Sequence, residues 1–211
     1  MPEKKNNQNK KSKKEKTNSK GKEKVNLDII PIKRKTKNND KIPYPLLQPS
    51  FLMIIHAPPK SGKTNLCINL LSDKRFGYIK TFENIIYISP TIEQSEDEVK
   101  VLYKNGVSII TEELENLNEI LEGIIEIQQK DNEPTLIVLD DMVGYFTNSL
   151  GFLCSRYRHY NLSIIICTQN FRSVPIICRN SADAFLLFKS HNELEMKKID
   201  EELGGFFPNF M

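Results

Sequence analysis

The most constraining stretch of this 211-residue chain is an apolar run, Phe51-Leu-Met-Ile-Ile55, that passes into Ala57-Pro-Pro-Lys-Ser-Gly-Lys-Thr64 and then into a helix-forming segment, 65–72. This is the phosphate-binding loop pattern G-x-x-x-x-G-K-[ST], with Ala57 in place of its first glycine. The chemistry dictates the spacing. Gly62 lets consecutive backbone N–H groups curl around phosphate oxygens, and the helix N-terminus behind them adds partial positive charge. Lys63 reaches the β and γ oxygens, and the Thr64 hydroxyl takes a Mg²⁺ position. Pro58 and Pro59 offer no amide donor, so the cradle rests on Lys60, Ser61, Gly62, Lys63 and Thr64, with Asn65 next in line. The expected ligands are ATP and Mg²⁺.

Further apolar runs follow at 84–88, 107–110, 135–139, 163–167 and 184–188. They are rich in Ile, Val, Leu and Phe and do not alternate with polar residues, as expected of strands covered on both faces of a parallel sheet. Between two of them, Leu114, Leu117, Leu121, Ile124 and Ile125 fall on one helical face, and Thr111 is expected to cap that helix with Glu112 and Glu113 at its positive end. Strands alternating with helices predict a three-layer α/β fold with a mainly parallel sheet.

A second half-site appears where Thr135-Leu-Ile-Val-Leu139 runs into Asp140-Asp141. Asp140 is expected to hold Mg²⁺, and Asp141 to polarise the attacking water. The next apolar run ends in Thr168-Gln169-Asn170, which brings Gln169 to the same sheet edge as a γ-phosphate sensor. Arginines are scarce after residue 42, and Arg158, just ahead of that run, is the candidate for a finger supplied to a neighbouring subunit, with Arg179 and Arg172 as second choices. His56, His159 and His191 show no metal spacing.

Charge divides the chain. Residues 1–41 carry 15 Lys/Arg against 5 Asp/Glu, whereas 42–211 carry 15 basic and 22 acidic residues. The first segment, almost without large apolar side chains to residue 24, reads as a basic disordered arm: a solubilising tail, a localisation signal or a nucleic-acid contact. Residues 42–211 read as the globular domain. Its four cysteines, Cys67, Cys154, Cys167 and Cys178, form no C-x-x-C pair and lie in or beside apolar runs, so buried free thiols in a reducing compartment are expected. No apolar run is long enough for a membrane span, and the lysine-rich start lacks the apolar segment of a signal peptide.

Residues 48–203 resemble the FtsK–HerA superfamily of DNA-pumping ATPases and, within it, the poxvirus-type packaging ATPases of nucleocytoplasmic large DNA viruses. The likeness rests on Lys60-Ser-Gly-Lys-Thr64 (Walker A), the strand ending in Asp140-Asp141 (Walker B), and Arg158-His-Tyr-Asn-Leu-Ser-Ile-Ile-Ile-Cys-Thr-Gln169. The third is the most specific, placing arginine, apolar strand and sensor glutamine in the family's order. Ala57 and Asp141 depart from the commonest pattern, which has glycine and glutamate there. The resemblance implies a RecA-like sheet with an extra strand between the two nucleotide motifs, and a homo-oligomeric ring that pumps double-stranded DNA. It also implies DNA-stimulated ATP hydrolysis for viral genome packaging, with capsid or virion membrane proteins as further partners, in the host cytoplasm (the viral factory) and in virions. The competing readings are a GTPase, because Asp141-Met-Val-Gly144 fits D-x-x-G although no [NT]-K-x-D follows, a small-molecule kinase, a helicase-like NTPase, and a nucleotide-gated scaffold that tethers DNA by its basic tail.

Overall fold

Segments apolar on both faces can satisfy their backbone only inside a sheet covered by helices on each side, and these segments do so. The computed structural model describes residues 42–92 and 96–204; the basic arm expected over 1–41 lies outside them. Six strands, β1 (Leu52–His56), β2 (Asn84–Ile88), β3 (Ser108–Ile110), β4 (Thr135–Asp140), β5 (Leu162–Thr168) and β6 (Ala184–Leu187), form one sheet in the order β3-β2-β4-β5-β1-β6. Every pairing is parallel. The expected extra strand is β5, which lies between the loop-bearing β1 and the Asp140-bearing β4. These three central strands are buried along their whole length.

The helices are α1 (Lys63–Ser72), α2 (Glu96–Lys104), α3 (Leu117–Asp131), α4 (Asn148–Arg156), α5 (Ile176–Ser181) and α6 (Glu193–Leu203). Alternation along each strand separates two cores. Met53, Ile55, Leu136, Val138 and Ile165 pack under α1 and α2 with Leu70, Leu71 and Leu102. Leu52, Ile54, Ile137, Leu139, Ile164 and Ile166 pack under α3, α4 and α5 with Leu121, Leu150, Leu153 and Cys178. The three-layer α/β expectation therefore holds.

The expected Thr111 cap is corrected. Glu113 adopts a left-handed φ of 55°, which interrupts the helical path, and Leu114–Asn116 form a 3-10 turn before α3 starts at Leu117. Thr111 thus precedes the helix by more than a turn. Leu114, Leu117, Leu121 and Ile124 are buried as the spacing demanded, while Ile125 is only partly covered. All four cysteines are free and buried, as expected. Among the described residues no helix is long and apolar enough to cross a membrane.

Candidate nucleotide site

Parallel strands deliver their C-terminal ends to one edge, where ligands bind an open α/β sheet. At that edge Ala57 N–H donates to Thr168 O at 3.1 Å, extending the β1–β5 ladder by one residue. Ala57 is fully buried and is not among the residues with positive φ, so its methyl group strains nothing. The left-handed residues of the loop are instead Lys60 (φ 60°) and Gly62 (φ 89°). At Gly62 the space for a Cβ is open, so its backbone conformation is what calls for glycine. Pro58 O accepts both the Ser61 hydroxyl at 2.7 Å and, more weakly, the Ser61 amide at 3.3 Å, which closes the loop on itself.

The first turn of α1 contains no acidic residue, so its positive end is left for an anion. A cavity of about 330 Å³ opens in front of it, lined by the loop, Thr64, Asn65, Thr91, Glu98, Asp141 and Gln169. A larger depression of about 630 Å³ between α3 and α4 lies away from these groups and has no comparable convergence of chemistry.

Behind the cavity, three side chains from α1 and β2 converge on Asp140. Lys63 Nζ stands 2.9 Å from Oδ1, with both side chains buried. Thr64 Oγ1 donates to Oδ2 at 2.9 Å, and the Tyr87 hydroxyl of β2 donates to the same oxygen at 2.7 Å. Burial pulls the Lys63 pKa down, but the charge and hydrogen bond of Asp140 outweigh it and hold the value above normal. Burial, reinforced by the Asp140 charge, raises Tyr87 well above its ordinary value. Lys63 is therefore a cation, and Tyr87 a neutral donor, at any physiological pH.

Asp141 turns sharply off the strand at φ 58°, a left-handed conformation that aspartate tolerates better than most residues. Its amide donates to Cys167 O at 3.3 Å, and its Oδ1 accepts from Gln169 Nε2 at 3.0 Å. The two residues proposed from sequence as water-polarising and sensing groups thus touch at the cavity wall.

Arg158 lies in a 3-10 turn, Tyr157–Tyr160, ahead of β5, whereas Gln169 follows the last residue of that strand. The seven residues of β5 therefore separate it from the cavity of its own chain. Its side chain is 62% exposed and pairs with Asp183. Arg179 is more fully committed, to Glu202 at 2.5 Å, to the Val174 carbonyl and to the Phe171 ring. Arg172 pairs with Glu201 on the surface.

Sequence reasoning missed Tyr87, Thr91 and Glu98. A tyrosine inside an otherwise apolar strand was a usable sign, because a buried hydroxyl requires a partner; Thr91 and Glu98 carried no such sign. His56, assigned no chemistry, is buried at the tip of β1, edge-on to Phe171, and neither ring nitrogen has a hydrogen-bond partner among the described residues. Burial lowers its pKa, opposed by Glu195 and assisted by Lys63.

Solved structures share this architecture. The DNA-packaging ATPase B204 of Sulfolobus Turreted Icosahedral Virus is 16% identical, with a TM-score of 0.58 over 72% of this chain and 82% of that one. The genome packaging NTPase B204 of Sulfolobus turreted icosahedral virus 2, in complex with AMP, is 18% identical, with a TM-score of 0.59 over 76% and 85%. The cytoplasmic domain of EssC is 11% identical at a TM-score of 0.54, over 70% of this chain but 32% of its own. At such identities the likeness is one of fold. Among curated proteins no sequence matches significantly. Matched from residue 43 to residue 202 by the model of the family described as Poxvirus A32 protein, well over half of its length, the chain belongs to that family.

Proposed function

We propose that this chain hydrolyses ATP and uses the energy to move double-stranded DNA into a viral capsid. The observation that carries the reading is the convergence of Lys63, Thr64 and Tyr87 on Asp140, beside the Asp141–Gln169 contact, at the tips of the central strands. This sits in a chain of the Poxvirus A32 protein family whose fold is that of packaging ATPases. The GTPase reading loses ground because no guanine-reading [NT]-K-x-D follows Asp141-Met-Val-Gly144, and Thr168-Gln-Asn-Phe171 stands where it would be expected.

The loop amides and the positive end of α1 take the phosphates, and Lys63 neutralises their β and γ oxygens. Thr64 Oγ1 and the Asp140 carboxylate form a pair of hard oxygen donors 2.9 Å apart, with Asp140 Oδ1 facing the Lys63 ammonium, a set that fits Mg²⁺. When bound there, the ion would neutralise charge on the β and γ phosphates. Asp141 accepts a proton from the attacking water as its oxygen closes on the γ-phosphorus and ADP leaves. Gln169 fixes the Asp141 carboxylate by its 3.0 Å hydrogen bond and reports the γ-phosphate to β5.

Since Arg158 stands at the far end of β5, it serves a neighbouring subunit, and the working form is a homo-oligomeric ring. Residues 1–41 act as a basic arm that holds DNA by counterion release. Capsid or virion membrane proteins dock the ring, which works in the host cytoplasm and travels in the virion.

The test is the ATPase rate with and without duplex DNA over a range of protein concentrations. Turnover per subunit should rise with concentration and again with DNA. ATP binding without turnover under all conditions would instead make the chain a nucleotide-gated scaffold.

A further inference from the structure

We infer that Asp183 is the positioning residue for Arg158, fixing its guanidinium on the sheet edge so that it meets the nucleotide of the next subunit in a defined orientation. The inference rests on the trans role of Arg158 proposed above and deepens it.

An exposed arginine paired with a surface carboxylate is ordinarily held loosely, because both side chains must be ordered for little net gain. Asp183 differs because it is itself immobilised. Its amide donates to Leu52 O at 2.8 Å, and its Oδ2 accepts Leu52 N–H at 2.8 Å, so the residue is clasped to the first residue of β1 on both sides. The Tyr157 hydroxyl donates to the same Oδ2. The remaining oxygen, Oδ1, receives the Arg158 Nη2. The Tyr157 ring supports the guanidinium from the side, 5.3 Å from its centroid.

The result is an arginine anchored on a carboxylate that is itself clasped to the buried start of β1, and a guanidinium carries five donors, more than this mount engages. The side-chain exposures, 62% for Arg158 and 25% for Asp183, match a presented head on a covered mount. Arg179 does not meet this description, since its side chain is only 10% exposed. The mount also shares β1 with the phosphate loop, so Arg158 and the nucleotide of its own subunit are joined by one rigid strand of five residues.

The test is a double-mutant cycle on the full chain, read as single-turnover ATP hydrolysis at saturating protein with duplex DNA. Asp183→Asn should lower the rate on the order of 10- to 100-fold, as misorientation of a transition-state group does, with the apparent ATP affinity unchanged. In an Arg158→Ala background the same substitution should change nothing further. An equal loss in both backgrounds would mean that Asp183 only holds β1 together, and an unchanged or raised rate from Asp183→Asn would also overturn the inference. If Asp183→Asn does not fold, Tyr157→Phe removes one of the two donors on Oδ2 and keeps the ring. It should lower the rate only when Arg158 is present, and a loss independent of Arg158, or no loss, would overturn the inference. Should Arg158→Ala alone hydrolyse ATP at the wild-type rate, the trans-arginine reading itself fails, an outcome separate from any result at Asp183.

Discussion

Lys63 Nζ lies 2.9 Å from Asp140 Oδ1, across the gap between the first residue of α1 and the last residue of β4. Under the proposed function this is the cation that meets the phosphates and the carboxylate that faces the metal. Both charges stay compensated while they are buried, which is what a low-dielectric site requires. Lys63→Ala should abolish tight ATP binding in a fluorescent-nucleotide titration. It should also destabilise the fold by roughly 3 kcal/mol, since Asp140 is then left buried without its counter-charge. Adding Asp140→Asn should restore most of the thermal stability and none of the binding. If stability does not recover, the pair is not what holds the charge in place.

Asp141→Asn should keep ATP affinity near wild type, because Lys63, Thr64 and Asp140 are untouched. Its turnover should fall by about 10²–10⁴-fold, the usual contribution of a positioned base. Gln169→Ala frees the same carboxylate from its 3.0 Å hydrogen bond and should give a smaller loss in turnover at equal affinity. Hydrolysis by Asp141→Asn at the wild-type rate would move the base to another residue, with Glu98 on the cavity wall the next to examine.

Arg158→Ala should bind ATP and hydrolyse it roughly 10³–10⁵-fold more slowly, as expected for loss of a finger. Mixed with the equally inactive Lys63→Ala chain, it should regain part of the wild-type rate. In mixed rings an intact Arg158 then reaches a neighbour whose own loop is intact. No recovery, despite demonstrated subunit exchange, would count against an Arg158 that serves a neighbouring subunit.

His56 links stability to pH. Its native pKa is lowered, chiefly by burial, from the ordinary 6.5, so the unfolded chain takes up a proton that the native one refuses. The stability associated with the neutral ring is complete above that ordinary value and is lost as pH falls below it. His56→Leu removes the titrating group and fills similar space. The melting temperature of the variant should therefore drop less than that of the wild type on acidification from about pH 7.5 to about pH 5. Parallel curves would show that His56 is not the linked group.

The sheet and the phosphate loop were legible in the sequence because both are local. A doubly covered strand must be apolar throughout, and the loop's residues are contiguous, so 51–72 specified strand, turn and helix together. The Asp141–Gln169 contact was legible one step further on, because parallel strands place their tips at one edge. What sequence could not supply depends on sideways pairing. Tyr87 reaches Asp140 only because β2 lies beside β4, and Asp183 meets Arg158 only because β6 lies beside β1. Thr111 was misplaced for a related reason: periodicity read Leu114 to Ile125 as one helix, but a left-handed Glu113 and a 3-10 turn deliver Leu114 to the core separately.

The most direct test of the motor is displacement of a triplex-forming third strand from duplex DNA by the full chain. A moving ring strips the third strand in its path, so release should require duplex length beyond the triplex and hydrolysable ATP. It should disappear with a non-hydrolysable analogue and with Lys63→Ala. Steady ATP hydrolysis by a DNA-bound chain that leaves the third strand in place would contradict the assignment of a translocating motor.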